Sequence, residues 1–70
     1  MQLRRIFATN LKRWRAERGL SQEALADNAG IDRTYVSALE REIYSVSLDT
    51  IEKLADALEI PPQELLAAGS

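Results

Sequence analysis

The segment Ser21–Arg41, SQEALADNAGIDRTYVSALER, decides the fold because its pattern predicts two short helices joined by a tight turn. Its opening serine is a preferred N-cap residue, and small apolar residues follow it at helical spacing. Gly30 predicts the end of this helix, because glycine adopts the left-handed backbone conformation at little steric cost. Asp32 can cap the next helix, since its carboxylate lies near the positive end of the helix dipole. We therefore predict helix 2 over about 21–29 and helix 3 over about 32–41.

The second of these helices has two different faces. Val36 and Leu39 continue an apolar face that points inward. Residues separated by three, four, seven or eight positions lie on the same side of a helix. This spacing places five side chains outward, namely Arg33, Thr34, Ser37, Ala38 and Arg41. Two short helices joined by a glycine turn, with hydrogen-bond donors on the outer face of the second, are typical of a helix-turn-helix that contacts DNA bases.

The rest of the chain predicts helices that enclose this motif. Apolar residues recur every three or four positions over 3–18, which indicates helix 1. Helix 4 is predicted over 48–58. Its inward residues are Leu48, Ile51, Leu54, Ala55 and Leu58. Pro62 suits the first position of helix 5, over about 62–68. We predict an all-α fold, a compact five-helix domain that spans residues 1–70.

Composition limits the chemistry that the chain can perform. The 70 residues include no cysteine and no histidine, which excludes a disulfide, a Cys/His zinc site and catalysis by a thiol or an imidazole. The carboxylates occupy helix caps and exposed faces, so we expect neither enzymatic activity nor a cofactor, metal or small-molecule ligand. No apolar run approaches the length of a membrane span and no signal peptide is evident, so we expect a cytoplasmic protein without a membrane partner.

Charge is unevenly distributed along the chain. The net charge is −2 at pH 7, yet six basic residues and one acidic residue lie within 1–18, whereas six acidic residues and one basic residue lie within 42–70. DNA responds to the local field, so a basic face suffices on an acidic protein. A charge run is equally typical of a solvated surface, and the acidic total also fits a module that binds another protein.

Residues along nearly the whole chain resemble the phage-repressor-like helix-turn-helix family, also called the XRE or Cro/C1 family. The matching positions are Gly19–Glu23, Leu25, Ala26, Gly30, Ile31, Val36, Ser37, Leu39–Arg41, Leu48, Ile51, Leu54, Ala55, Leu58, Leu65 and Leu66. The run 32–37, DRTYVS, more narrowly resembles the controller proteins of restriction–modification systems. The resemblance implies a lambda-repressor-like fold and a transcriptional regulator that binds double-stranded DNA as a homodimer on a near-palindromic operator. An antitoxin-type regulator, or an interaction module on the same helical fold, is the alternative.

The start of helix 3 carries the predicted base contacts, because the N-terminal end of a recognition helix enters the major groove. The planar fork of Arg33 can donate two hydrogen bonds to guanine O6 and N7, although a solvated arginine is the ordinary alternative. Ala38 is small and permits close approach to the bases. The predicted base contacts are Arg33, Thr34 and Ser37.

Contacts with the DNA backbone are predicted around the same face. The Gln22 amide and the neighbouring backbone N–H groups at the start of helix 2 can hold a phosphate. The hydroxyl of Tyr35 can donate to a phosphate, or its ring can fill the gap between helices 2 and 3. The predicted backbone contacts are Gln22, Tyr35, Arg41 and Arg18.

The resemblance implies two further contacts. Positions that match Arg15 and Glu40 form an ion pair between the first and third helices in the family, so we expect this pair to hold the recognition helix on helix 1. The C-terminal helix of the family implies a dimer contact, with Leu65 and Leu66 as the candidates. Because these two leucines are adjacent, one should close the core and the other should face a partner.

Overall fold

The computed structural model describes residues 2–68, which form four α-helices and one short 3₁₀ helix. In chain order these are α1 (Leu3–Glu17), α2 (Gln22–Ala29), α3 (Arg33–Glu40), α4 (Leu48–Leu58) and the 3₁₀ helix (Pro62–Leu65). This described part of the chain contains no β-strand. The predicted all-α fold, with the helix-turn-helix at the second and third helices, is therefore confirmed.

The predicted fifth α-helix over 62–68 is wrong. Only the single 3₁₀ turn Pro62–Leu65 forms there. A side chain from α1 supplies the reason, because Asn10 Nδ2 donates hydrogen bonds to the carbonyl oxygens of Leu65 at 3.0 Å and Ala67 at 2.8 Å. Carbonyl groups at a helix end need such partners, and here the amide satisfies them without a further helical turn.

Local caps and a tight turn define the helix-turn-helix. The Ser21 hydroxyl oxygen accepts a hydrogen bond from the backbone N–H of Ala24 at 3.0 Å, which satisfies one of the free N–H groups at the start of α2. Gly30 ends that helix with φ +71°, a left-handed conformation that is costly for a residue with a Cβ. Asp32 then caps α3 by accepting a 2.8 Å hydrogen bond from the Thr34 N–H. These local interactions fix where α2 ends and where α3 begins.

One apolar core lies between the helices and fixes α3 in place. α2 packs on α3 and α4, α1 packs on α3, and the 3₁₀ helix packs on α1 and α4. The buried side chains at the centre are Phe7, Leu11, Leu25, Val36, Leu39, Ile51, Leu54, Leu58 and Leu65. Burial of one such leucine stabilises a fold by about 1.5–3 kcal/mol. The core therefore holds α3 by its inner face and leaves its outer face at the surface.

The predicted inward face of helix 4 is wrong at one position. Leu48 is 82% exposed, although Ile51 and Leu54 are buried as expected. Leu48 is the first residue of α4, and Leu3, the first residue of α1, is likewise 52% exposed. A helical period identifies one face of a helix but not how far along that face the neighbouring elements extend. Both apolar stripes therefore continue beyond the core.

Candidate nucleic-acid interface

The outer face of α3 forms an exposed row of polar side chains. Arg33, Thr34 and Arg41 are exposed, and Ser37 is half-buried. Their spacing places them along one side of the helix, the side that the core leaves free. Arg33 takes part in neither of the ion pairs found within residues 2–68. The structure therefore brings together the three predicted base contacts and Arg41 on one surface.

Ala38 does not belong to this exposed row, which corrects the prediction that it points outward. It is 7% exposed. The chain reverses direction directly after α3, at Glu42, whose φ of +62° is left-handed. The backbone N–H of Ile43 then donates to the Ala38 carbonyl oxygen at 3.0 Å. The loop thereby covers Ala38, which lines a shallow depression between α3 and the loop.

Tyr35 lies at the edge of this depression. Its side chain is half-buried and packs against the core. Its ring centroid lies 6.5 Å from that of Tyr44, with an interplanar angle of 53°, which is a favourable aromatic arrangement. Tyr35 therefore has a packing partner in the loop after α3, and its contact with a phosphate stays a prediction.

The N-cap of α3 restricts what Thr34 can recognise. Asp32 Oδ1 accepts hydrogen bonds from the Thr34 hydroxyl at 2.6 Å and from the Thr34 N–H at 2.8 Å. These two bonds, with a smaller contribution from the charge of Arg33, lower the pKa of Asp32. Because the hydroxyl proton is donated to Asp32, the Thr34 oxygen faces other partners as an acceptor. At a base edge Thr34 can then accept from the amino group of adenine or cytosine, or place its methyl group on thymine.

Arg15 and Glu40 meet in a nearly buried ion pair. Arg15 Nε donates to Glu40 Oε2 at 2.7 Å, and Nη2 donates to Oε1 at 3.1 Å. The Glu40 side chain is 4% exposed, and its hydrogen bonds with Arg15 raise the pKa of the guanidinium. Arg15 Nη1 also donates to the Leu20 carbonyl oxygen at 3.0 Å. The pair therefore joins α1, the turn before α2 and the end of α3.

Gln22 joins this ion pair, which the sequence did not indicate. Gln22 Nε2 donates to Glu40 Oε1 at 3.0 Å. A carboxylate only accepts, so the amide nitrogen must face Glu40, and one of its two N–H donors is thereby used. The second donor and the backbone at the start of α2 are the groups with which Gln22 can bind a phosphate. No spacing rule links the first residue of one helix to the last residue of the next, so only the packed structure reveals this bond.

Arg18 has a different role from the predicted contact with the DNA backbone. Its Nε donates to the Leu58 carbonyl oxygen at 2.7 Å, and its Nη2 to that of Glu59 at 3.4 Å. The guanidinium also lies 5.4 Å from the ring centroid of Trp14. The C-terminal end of a helix carries unsatisfied carbonyl groups and partial negative charge, which explains why the end of α4 attracts this arginine. We therefore remove Arg18 from the candidate DNA contacts.

The two candidate dimer residues differ in burial. Leu65 is 0% exposed, so it is the leucine of the pair that closes the core, and it is no longer a candidate for the dimer contact. The adjacent Leu66 is half-buried and lines a surface groove. Leu66 alone stays a candidate for a contact with a partner.

Metal-ligand clusters and membrane-spanning helices are both absent from the described residues. Within residues 2–68, no group of three or more Asp, Glu, His or Cys side chains is arranged to hold a metal ion. None of the helices described there has the length and apolar character that crossing a membrane requires.

Comparison with known proteins identifies the motif. A family model described as helix-turn-helix matches residues 11–65. The chain belongs to this family. Within this helix-turn-helix family, the hypothetical transcription factor of Neisseria meningitidis is 46% identical to it, over 91% of this chain and 67% of that protein. The crystal structure of the Neisseria factor superposes with a TM-score of 0.92 at 45% identity and covers 94% of this chain and 76% of its own.

Controller proteins of restriction–modification systems are also similar to this helix-turn-helix chain. Control protein C.BamHI of Bacillus amyloliquefaciens is 40% identical over 91% of this chain and 80% of its own length. The crystal structure of the controller protein C.AhdI from Aeromonas hydrophila is 48% identical, with a TM-score of 0.86, and covers 89% of this chain and 94% of its own. The resemblance to controllers therefore extends well beyond the run 32–37 and is confirmed.

Proposed function

We propose that this helix-turn-helix protein is a sequence-specific regulator of transcription that binds double-stranded DNA as a homodimer. The observation that carries the proposal is the exposed row on α3, whose opposite face is fixed in the core. The row begins at the N-terminal end of the helix, which is the end that enters the major groove in this motif. The relatives are described as transcription factors and control proteins, which supports a binding role in the cytoplasm rather than catalysis.

Base recognition would come from three side chains of this row. Arg33 supplies a planar pair of donors for guanine O6 and N7. Thr34 supplies an acceptor and a methyl group, since its hydroxyl already donates a hydrogen bond to Asp32. Ser37 lies one turn further along the same side and can donate or accept. A short row of this kind contacts only a few base pairs.

Affinity that does not depend on sequence would come from the edges of the row. Arg41 follows α3 directly, and Gln22 lies at the start of α2, where backbone N–H groups and the helix dipole favour a phosphate. The hydroxyl of Tyr35 is a third candidate donor. Phosphate contacts fix the register of a protein on the duplex and make binding sensitive to salt.

Specificity requires two copies, because one recognition helix covers too few base pairs. A two-fold dimer places two copies of α3 in successive major grooves about 34 Å apart, and its operator is then nearly palindromic. The sharpest form of the proposal is a restriction–modification controller, supported by the similarity to C.BamHI and C.AhdI over about nine tenths of the chain.

Selection from a random duplex library tests this proposal. The purified protein is mixed with the library at about physiological salt, the retained duplexes are sequenced, and a parallel selection without protein removes amplification bias. We expect one enriched site with two inverted halves, about one helical turn apart. Enrichment of a single half-site would contradict the homodimer. No enrichment by a folded protein would contradict DNA recognition and favour an interaction module or antitoxin-type partner on the same fold.

A further inference from the structure

The carboxylate of Glu40 accepts hydrogen bonds from side chains of two other helices. Oε2 accepts from Arg15 Nε at 2.7 Å, and Oε1 accepts from both Arg15 Nη2 at 3.1 Å and Gln22 Nε2 at 3.0 Å. The Glu40 side chain is nearly buried, and a buried charge of this kind is held by its partners. Glu40 is therefore a fixed acceptor next to the start of α2.

Gln22 is the side chain on which this acceptor acts. It is the first residue of α2 and is half-buried, and the first turn of a helix has backbone N–H groups without intrahelical acceptors. A free glutamine has several rotatable bonds, so its ordering on binding a ligand costs free energy. A glutamine that is already ordered in the free protein avoids this cost.

The geometry of an amide links its two N–H donors. Both N–H bonds of the Gln22 side chain lie in one plane and point apart, so a bond from one of them to Glu40 directs the other away from the buried carboxylate. The first donor is therefore used within the protein, and the direction of the second is fixed by the same bond. The free donor of Gln22 is held by a residue on another helix.

We infer that Glu40 is a positioning residue for DNA binding, because it orders the Gln22 amide so that its second N–H is ready to donate to a phosphate. This inference rests on the proposed function, in which Gln22 contacts the DNA backbone. Arg15 completes the arrangement, since its guanidinium balances the charge of Glu40 and reduces the repulsion between that carboxylate and a phosphate. The ion pair thereby acts on DNA affinity as well as on the packing of α3 against α1.

A double-mutant cycle on DNA affinity tests the positioning role. The four proteins are the wild type, Gln22→Met, Arg15→Met/Glu40→Leu and the protein with all three substitutions. Gln22→Met removes the amide but keeps the length of the side chain. Arg15→Met/Glu40→Leu removes the acceptor without changing the net charge, so the long-range attraction to DNA is preserved. Fluorescence anisotropy measures the dissociation constant for a duplex of unrelated sequence, because phosphate contacts do not depend on sequence.

The positioning role predicts losses that do not add. We expect Gln22→Met to raise the dissociation constant by about three- to tenfold per subunit, because one hydrogen bond to a phosphate is lost. Arg15→Met/Glu40→Leu should raise it by about two- to tenfold, because the amide must then be ordered on binding. In that background Gln22→Met should cost about twofold or less, since the amide is no longer held.

A matched control and a measurement without DNA separate positioning from stability. Asn28→Ala removes an exposed amide at the other end of α2, and we expect a dissociation constant within about twofold of its parent in either background. Titrations are performed at a temperature where circular dichroism shows every variant to be folded. In the free wild type, we expect the heteronuclear NOE of the Gln22 side-chain amide to approach backbone values. It should fall in Arg15→Met/Glu40→Leu to the value of the exposed Gln63.

Three results would overturn the positioning role alone, in a wild-type chain that binds duplexes. They are a Gln22 amide as mobile as that of Gln63, wild-type affinity in Gln22→Met, and an equal loss from Gln22→Met in both backgrounds. The NOE is measured without DNA, so it reports on the amide whatever the outcome of the titrations. A wild-type chain with an ordered amide that binds no duplex would overturn the proposed function together with the positioning role.

Discussion

Arg33 occupies a position that is unfavourable for its charge in the free protein. It directly follows the N-cap of α3, where the helix dipole is positive. The preceding residue, Asp32, makes both of its hydrogen bonds to Thr34, and Arg33 joins no ion pair within residues 2–68. Such a side chain gains most from an acceptor outside the molecule. This is the physical reason to expect Arg33 at a guanine.

Substitution of Arg33 separates its planar fork from its charge. Arg33→Lys keeps the charge but loses the paired donors, so we expect affinity for the selected operator to fall by about 1–3 kcal/mol per half-site. Affinity for unrelated DNA should change little. Fluorescence anisotropy titrations of both duplexes measure the difference. Full operator preference in Arg33→Ala would remove this residue from base recognition.

Removal of the buried carboxylate of Glu40 should destabilise the fold. Glu40→Ala leaves the guanidinium of Arg15 without its partner and also frees the Gln22 amide, so we expect the free energy of unfolding to fall by about 3–5 kcal/mol. Urea denaturation followed by circular dichroism measures this. The double variant Arg15→Met/Glu40→Leu is the matched control, because it removes both charges and should recover much of the loss. An unchanged urea midpoint in Glu40→Ala would mean that the pair contributes nothing to stability.

Among the helices, α3 depends on an ionised cap. The hydrogen bonds from Thr34 lower the pKa of Asp32, so the folded state binds this proton less tightly than the unfolded state. The resulting stabilisation is complete above the ordinary pKa of an aspartate and is lost as the pH falls through the lowered value. Asp32→Asn still caps a helix but does not titrate. We expect its melting temperature to fall less than that of the wild type between neutral and acidic pH, in thermal melts followed by circular dichroism. Equal acid losses in the two proteins would show that this cap does not contribute to the pH dependence.

The elements that the sequence predicts well carry their own local signals. α2 and α3 follow from a serine cap, a glycine turn and an aspartate cap, each of which acts within a few residues. The 3₁₀ helix carries no such local signal, because its length depends on Asn10. The carbonyl oxygen of Leu65, which accepts a hydrogen bond from Asn10, lies 55 residues away along the chain. The candidate site shows the same contrast between features with local signals and features that depend on long-range packing. The helical period predicts the row on α3, but the place of Arg18 at the end of α4 and the bond from Gln22 to Glu40 depend on how distant elements pack.

For the whole molecule, the net charge of −2 is compatible with DNA binding because affinity depends on which basic groups reach phosphates. A plot of log affinity for unrelated DNA against log salt concentration has a slope of about −0.9 for each phosphate contact. We expect Arg41→Ala to reduce this slope by about one per subunit. Arg18→Ala is the matched control, since Arg18 binds the end of α4, and should leave the slope unchanged while lowering stability. Equal slope changes in the two variants would return Arg18 to the DNA contacts.

The bonds from Asn10 to the C-terminal segment also order events during synthesis of the protein. α1 leaves the ribosome first, yet its buried amide has no partner until residues 65–67 have emerged. Leu65 fills the core at the same moment. Shorter nascent chains already contain the whole helix-turn-helix but lack the segment that completes its support. We therefore expect that a chain interrupted before residue 65 cannot hold α3 in position, so that synthesis must pass residue 67 before the helix-turn-helix can bind DNA.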